Sequence, residues 1–106
     1  MTIRNFTPHV VRVVDEEGSL VREFPSNGLA RVASSEVIVE EFDGIQLSKT
    51  HFGDVEGLPD AEDGTLLIVS RLVKAAMPER ADLVCPGMQV RDDEGRVIGC
   101  KSLALS

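Results

Sequence analysis

The sequence predicts an α+β fold that is mostly antiparallel β-sheet, with about six to seven short strands and one short helix. Two acidic turns, "DEEG" at 15–18 and "DDEG" at 92–95, each separate runs rich in β-branched residues. A continuous apolar run, "TLLIVS" at 65–70, has the composition of a strand covered on both faces. The stretch that follows it, "RLVKAAMPER" at 71–80, has apolar residues at helical spacing.

The first predicted element is a β-hairpin. Residues 9–14 and 19–24 form its strands, and Gly18 suits the positive φ that the turn between them requires. Pro8 precedes the first strand, where a missing backbone N–H is tolerated, and it favours extended backbone at Thr7. We therefore predict that Thr7 and Pro8 form the entrance to the first strand.

The middle of the chain predicts a turn, two strands and a loop. "PSNG" at 25–28 has turn composition, and "LARVASSEVIVEEF" at 29–42 predicts a strand that bends at Ser34-Ser35. After Gly44, the alternation of "IQLSKTHF" at 45–52 predicts a second strand. Residues 53–64 are acidic and contain three glycines and a proline, so they predict a solvated, mobile loop.

The C-terminal half predicts a buried strand, the helix and a second hairpin. The helix should end near Met77, because a proline at position 78 disfavours helical geometry in the residue before it. "ADLVCPG" at 81–87 is expected to be extended and to turn at Pro86-Gly87, and residues 88–105 form a hairpin around "DDEG". In the acidic turns, Asp15 and Asp93 are expected to cap their own backbone.

Length and charge restrict the classes of function. The 106 residues, 42% of them hydrophobic, predict one small β-rich domain spanning 1–106, for which self-association is a source of extra stability. The net charge of −7 disfavours duplex nucleic acid and anionic membranes as partners. A small anionic ligand remains open, because a few arginines can form a local positive pocket in an acidic protein.

Cysteine usage and hydropathy predict a cytoplasmic protein. Cys85 and Cys100 have apolar or small neighbours, which indicates buried thiols in a reducing compartment, although the sequence leaves a disulfide open. No segment has the length of a membrane span, and the first residues lack the apolar core of a signal peptide.

Most basic residues of this chain are arginines, with eight arginines and three lysines. Arg71 follows the apolar strand beside Ser70 at the start of the helix, so the pair is our first candidate for anion binding; a surface salt bridge is the alternative. Arg91 and Arg31 lie near turns and are further candidates, with local pairing to an acidic residue as the alternative for Arg91.

Thr7 and His9 complete the predicted ligand-binding set. His9 can contact a ligand or bond a backbone carbonyl at a strand end. The two histidines and two cysteines lack metal-ligand spacing, so no metal site is predicted. No nucleotide-binding glycine loop or hydrolase motif occurs, and adjacent carboxylates in a strand point to opposite faces, so we predict no catalytic residues, no cofactor and no enzymatic activity.

Five stretches of the chain resemble a group of small proteins encoded by phages and prophages, common in those of actinobacteria. They are "NFTPHVV" (5–11), "PSNGLARV" (25–32), "GLPDAEDGTLLIVSRLVKAA" (57–76), "RADLVCPG" (80–87) and "VRDDEGRVIGCKSL" (90–103). The resemblance implies a viral or prophage origin and an accessory role, and it assigns no active site. It carries nothing over to residues 40–56.

Two non-catalytic functions therefore remain open. By analogy of size and origin, the first is an oligomeric sponge that sequesters a nucleotide-like signal of bacterial immunity in the host cytoplasm. The second is a structural or protein-interaction module, either a virion component or an inhibitor of a host protein. An enzyme is the third and least supported alternative, because the sequence lacks a catalytic constellation.

Overall fold

A computed structural model describes residues 1–105, which contain eight β-strands and one α-helix. The elements in chain order are β1 (Thr2–Asn5), β2 (Val11–Val14), β3 (Leu20–Phe24), β4 (Arg31–Phe42), β5 (Ile45–Glu56), β6 (Thr65–Ile68), α1 (Arg71–Ala76), β7 (Leu83–Arg91) and β8 (Val97–Ala104). The expected β-rich fold with one short helix is confirmed. The strand count exceeds the predicted six to seven.

Six strands form one sheet in the order β1-β6-β7-β8-β2-β3, and β4 and β5 pair with each other as a separate hairpin. Pairing is antiparallel within the two predicted hairpins, β2–β3 and β7–β8. It is parallel for β1–β6, β6–β7 and the single-residue contact between β2 and β8. The main sheet is therefore mixed, whereas local sequence patterns indicate only the antiparallel hairpins.

The strand β6 is covered on both faces, as its continuous apolar run predicted. Leu67 belongs to a core with Phe6 and Val73 of α1, and the next residue, Ile68, belongs to a second core with Phe24 and others. The residues Leu67 and Ile68 are 2% and 0% exposed. Because successive strand residues point to opposite faces, the two cores lie on opposite sides of the sheet.

The helix α1 begins and ends where its sequence indicates. The Ser70 hydroxyl accepts a hydrogen bond from the Val73 backbone N–H at 3.3 Å, which is the role of an N-cap. The helix ends at Ala76, and Met77 leaves helical geometry before Pro78.

Each acidic turn is closed by its first residue. The Asp15 carboxylate accepts bonds from the N–H groups of Glu17 and Ser19, both at 2.9 Å. The Asp92 carboxylate accepts the equivalent pair from Glu94 and Arg96, also at 2.9 Å. The cap predicted for Asp15 is confirmed, and the one predicted for Asp93 is wrong, because the carboxylate of the first residue in each turn accepts the backbone N–H groups two and four positions further along.

Two local predictions about strand starts and turns are wrong. The first strand is β1, so Thr7 and Pro8 lie in the loop between β1 and β2 rather than at the entrance to the first strand. The chain does not turn at Pro86-Gly87, because β7 continues through both residues. The strand β6 pairs with β7 only as far as Val84, so Pro86 has a hydrogen-bonded neighbour strand on one side alone, where proline is tolerated.

The hairpin of β4 and β5, which we call the arm, agrees with the predicted strand pair except that its second strand is four residues longer. Both strands have 12 residues, and β5 continues through positions 53–56, which were expected to belong to the acidic loop. The register shifts between Val32 and Ser34, next to the predicted bend at Ser34-Ser35, and again between Ile38 and Glu40. The radius of gyration is 16.4 Å, against about 13 Å for a compact chain of this length, so the arm makes the molecule elongated.

Candidate functional site

The loop between β1 and β2 is organised by Asn5, a buried polar residue with 0% exposure. Its side-chain amide donates to the backbone carbonyls of His9 at 2.7 Å and Phe24 at 2.9 Å. Its side-chain oxygen accepts from the Thr7 backbone N–H at 2.9 Å and lies 2.7 Å from the Thr7 hydroxyl. One side chain therefore fixes both ends of the short bend that contains Thr7, Pro8 and His9.

The turn at 25–28 holds the same loop from the other side. The backbone N–H of Asn27 donates to the Asn5 carbonyl at 2.7 Å, and the Asn27 side-chain oxygen accepts the Asn5 N–H at 3.1 Å. The Ser26 hydroxyl donates to the Thr7 carbonyl at 2.7 Å. Two stretches that are distant in sequence, "NFTPH" and "PSNG", are thus joined in one hydrogen-bonded unit.

An open cavity of about 340 Å³ lies between this loop and the sheet strands β2, β7 and β8. Its size is that of a site for a small molecule. Thirteen residues line it: Thr7, Pro8, His9, Val10, Val11, Arg12, Ser70, Pro86, Gln89, Val97, Ile98, Gly99 and Cys100.

The cavity combines an apolar wall with a few polar groups. Val10, Val97 and Ile98 are 41%, 49% and 43% exposed, so the wall has apolar surface available for a ligand. The hydroxyl of Ser70 accepts the helix-capping bond, which leaves its proton free to be donated. Gln89 adds a side-chain amide. An apolar lining with a few polar groups is typical of pockets that bind small molecules.

One arginine, Arg12, lines the cavity. The Arg12 guanidinium lies 3.0 Å from the Glu23 carboxylate on the neighbouring strand, and both side chains are about half exposed. Because exposed ion pairs contribute little, an incoming anion can compete with this carboxylate for the guanidinium.

The one thiol in the wall is not activated. Burial raises the pKa of the Cys100 thiol, and the thiol donates to the Arg12 backbone carbonyl at 3.5 Å. A thiol whose pKa is raised is largely protonated at neutral pH and is therefore a poor nucleophile.

The structure places three of the six predicted site residues, Thr7, His9 and Ser70, in the wall of this cavity. The three arginines lie elsewhere. Arg31 lies at the base of the arm, 3.5 Å from the Glu56 carboxylate. Arg91 donates to the Gly95 carbonyl at 2.8 Å and so closes its own turn, instead of pairing with an acidic residue.

Arg71 lines a second, open cavity of about 460 Å³ together with Lys74 and Cys85. Although Ser70 and Arg71 are adjacent in sequence, they face different cavities, so the anion site predicted for this pair is divided between two places. Lys74 is also engaged, because its ammonium donates to the Leu83 carbonyl at 3.0 Å.

Sequence reasoning missed the residues that shape the cavity. Arg12, Gln89 and the Val97-Ile98 wall come from three strands, and their proximity depends on the order of those strands in the sheet. Asn5 had a usable signal, since an Asn two residues before a Thr in a Pro-containing stretch is the pattern of an Asx-turn.

A second polar cluster supports the loop between β5 and β6. Arg80 forms two bonds of 2.8 Å with the Asp82 carboxylate and a third, of 3.1 Å, with the Pro59 carbonyl. The hydrogen bond to Arg80 is the main reason that the pKa of Asp82 is lowered, and the same bond raises the pKa of Arg80. The third bond connects Arg80 to Pro59, which lies in the loop that the sequence predicts to be mobile.

Comparison with known proteins gives no match: no protein-family model, no curated protein and no solved structure corresponds to this chain. In residues 1–105, no helix has the length and apolar character needed to cross a membrane. The same residues contain no group of three or more His, Cys, Asp or Glu side chains that could hold a metal ion.

Proposed function

We propose that the protein binds a small anionic, nucleotide-like molecule in the cavity beside the Asn5 loop, and that it does so without turnover. The observation that carries the proposal is the convergence of Thr7, His9 and Ser70 on one apolar-walled cavity of about 340 Å³. A base-like ring would pack on Val97 and Ile98, and the hydroxyl and imidazole groups would bond its polar edge. The Arg12 guanidinium would take the anionic group.

Preorganisation of the loop supports binding by this cavity. Asn5 bonds Thr7 and the backbone carbonyl of His9 at 2.7–2.9 Å, and the Thr7 hydroxyl bonds the same carbonyl at 3.0 Å, so ordering the backbone of this bend costs little when a ligand enters. The protonated state of the Cys100 thiol is consistent with retention of a ligand rather than attack on it.

The biological setting belongs to the same proposal. The protein would be a phage or prophage accessory product that sequesters a nucleotide signal of host immunity in the bacterial cytoplasm, acting as a homo-oligomer. The sequence resemblance and the acidic surface, which disfavours nucleic acid and membranes as partners, support this setting.

The experiment compares three purified proteins: the wild type, His9→Ala and His51→Ala. The second histidine lies on the arm and does not line the cavity, so it is a matched control. We expect cyclic and linear nucleotides from one panel to raise the Tm of the wild type and of His51→Ala, and His9→Ala to reduce the shift. Mass spectrometry of molecules released by heating protein incubated with host extract would identify the ligand. No shift across the panel and no released nucleotide would refute the proposal.

A structural or protein-interaction module is the second candidate function, and the arm favours it. The arm exposes large apolar side chains, among them Phe42 at 69% and Ile45 at 63%, which is typical of protein contact sites. Detection of the chain in purified phage particles, or specific recovery of one host protein, would support this candidate. If the chain is absent from phage particles, recovers no host protein and shows a nucleotide-dependent Tm shift, the interaction module is excluded and nucleotide binding is supported.

A further inference from the structure

The two faces of the arm differ sharply in polarity. Directly paired residues share a face, and the register pairs Phe42 with Ile45, Glu40 with Leu47 and Val37 with Lys49. One face of the distal half therefore has four apolar side chains, which we call the apolar arm face: Val37, Phe42, Ile45 and Leu47. They are 42–69% exposed.

The opposite face is mostly polar. It contains Glu41 paired with Gln46, and Glu36, whose carboxylate accepts a bond of 3.2 Å from the Ser48 hydroxyl. Ile38, paired with Ser48, is an exposed apolar residue of this face, and Val39, at the register shift, has no cross-strand partner in the β4–β5 register. The arm is therefore amphipathic, although nothing in residues 1–105 covers its apolar face.

Only the base of the arm is anchored. Val32 and Val55 pack against the core that contains Phe6 and Val73, whereas the distal residues project beyond the sheet. A two-stranded hairpin is marginally stable in water unless a third layer covers its apolar face. We therefore expect the apolar arm face to be covered by a binding partner.

We propose that the partner is a second copy of this chain, which packs its own apolar arm face against the first. The face also carries one acidic and one basic side chain, Glu40 and Lys49, and neither forms an ion pair within residues 1–105. In a two-fold interface every contact occurs twice, so a contact of Glu40 with Lys49 of the partner subunit would be matched by the reciprocal contact. The face is thus complementary in charge to its own copy.

The size of the face predicts a reversible dimer. The distal half of the arm has about six residues in each strand at about 3.3 Å each and is two strands wide, which gives a face of roughly 200 Å². That area is about a quarter of what a standard interface buries on each partner, so we expect a weak, reversible dimer that forms in the upper part of the micromolar concentration range. The inference supplies a surface for the self-association included in the proposed function. Its test needs no ligand, so the two can fail separately.

Analytical ultracentrifugation from 1 to 500 μM tests the interface. We expect the wild type to shift from monomer to dimer across this range. Ile45→Asp on the apolar arm face should raise the dimer Kd at least tenfold. Ile38→Asp, an equal change on the opposite face, should leave it unchanged, and circular dichroism would verify that both variants fold. A wild type that stays monomeric at 500 μM would overturn the proposal, as would equal dissociation by the two variants.

Charge reversal tests whether the partner is the same chain. Glu40→Lys places two positive groups on the face, and Lys49→Glu places two negative groups there, so each variant alone should dimerise at least tenfold more weakly. An equimolar mixture of the two should form a heterodimer about as tight as the wild-type dimer. Glu41→Lys, the same charge change on the opposite face, is the control and should dimerise normally. If the mixture stays monomeric, or if the arm binds only a different protein, self-pairing through this face is wrong.

Discussion

Asn5 and Thr7 form a closed hydrogen-bonded unit in which the Asn5 side-chain oxygen receives the Thr7 backbone N–H at 2.9 Å and lies 2.7 Å from the Thr7 hydroxyl. The unit explains why Asn, Thr, Pro and His occur together at the start of the chain. Asn5 anchors the bend, Thr7 closes it, and Pro8 lies at its exposed outside. The main role of this stretch is therefore to fix the loop, and the fixed loop places His9 in the wall of the cavity.

Asn5→Ala should destabilise the fold strongly. The change leaves the buried carbonyl of Phe24 without its donor and removes the acceptor for Thr7, and each unsatisfied buried group costs about 1–3 kcal/mol. We expect a loss of about 3 kcal/mol in the free energy of unfolding, measured by urea denaturation. Gln46→Ala on the exposed arm, which also truncates an amide, should change it by less than about 0.5 kcal/mol.

Thr7→Val separates the hydroxyl from the shape of the side chain. The variant keeps the β-branch and loses the bonds of 2.7 Å to Asn5 and 3.0 Å to the His9 carbonyl. We expect a loss of about 1 kcal/mol, because Thr7 is half-buried and one hydroxyl proton serves two acceptors. Thr7→Ser retains the hydroxyl and should lose less than Thr7→Val; the reverse order would show that packing, not hydrogen bonding, sets the cost.

The Arg80–Asp82 pair should make stability depend on pH in the acidic range. The folded-state pKa of Asp82 lies below its usual value of 3.8. The contribution of the pair is therefore fully present above that value, and it is lost as the pH falls through the lower folded pKa. Asp82→Asn should cost about 1–2 kcal/mol at pH 7 and progressively less below pH 3.8.

Glu56→Gln provides the control for that measurement. Glu56 pairs with Arg31 at 3.5 Å, but both side chains are at least 70% exposed, so this ion pair should contribute little at any pH. Denaturation curves at pH 3, 5 and 7 would compare the two variants with the wild type. A cost of Asp82→Asn that does not change with pH would contradict the assignment.

Neither cysteine should react readily in the folded protein. Cys85 and Cys100 are both 3% exposed, and burial raises the pKa of the Cys100 thiol. In the β7–β8 register Cys100 pairs with Gln89, four residues beyond Cys85, so the two thiols are not cross-strand partners. A colorimetric thiol reagent should titrate two thiols in urea and react at least a hundredfold more slowly in native buffer. Rapid labelling of the native protein would show that the sheet opens.

Short-range patterns account for the parts of the fold that the sequence predicts. The acidic turns, the apolar strand β6 and the helix that stops before Pro78 each depend on neighbouring residues. The strand β1 was missed because its four residues, "TIRN", have no strand pattern and are ordered by parallel pairing with β6, more than 60 positions away. The last four residues of β5 were missed because Gly53 and two acidic residues suggested a loop.

The candidate site also combines features that local sequence predicts with features that depend on the overall fold. Thr7, His9 and Ser70 were chosen for their local character, and the sheet order then places them around one cavity. Arg31, Arg71 and Arg91 were chosen by the same reasoning, yet they lie at three other places. The number of arginines in a sequence suggests that anions could bind, but it does not show which guanidinium groups lie close together in the fold.

The central claim is that the cavity beside the Asn5 loop binds a small nucleotide-like anion. The most direct measurement is a ¹H–¹⁵N correlation spectrum of the wild-type protein during titration with the nucleotide that gives the largest Tm shift. We expect the amide signals of His9, Val10 and Gly99 to move in a saturable way while those of the arm tip, Asp43 and Gly44, stay fixed. A spectrum that does not change, or changes confined to residues outside the cavity, would contradict the claim.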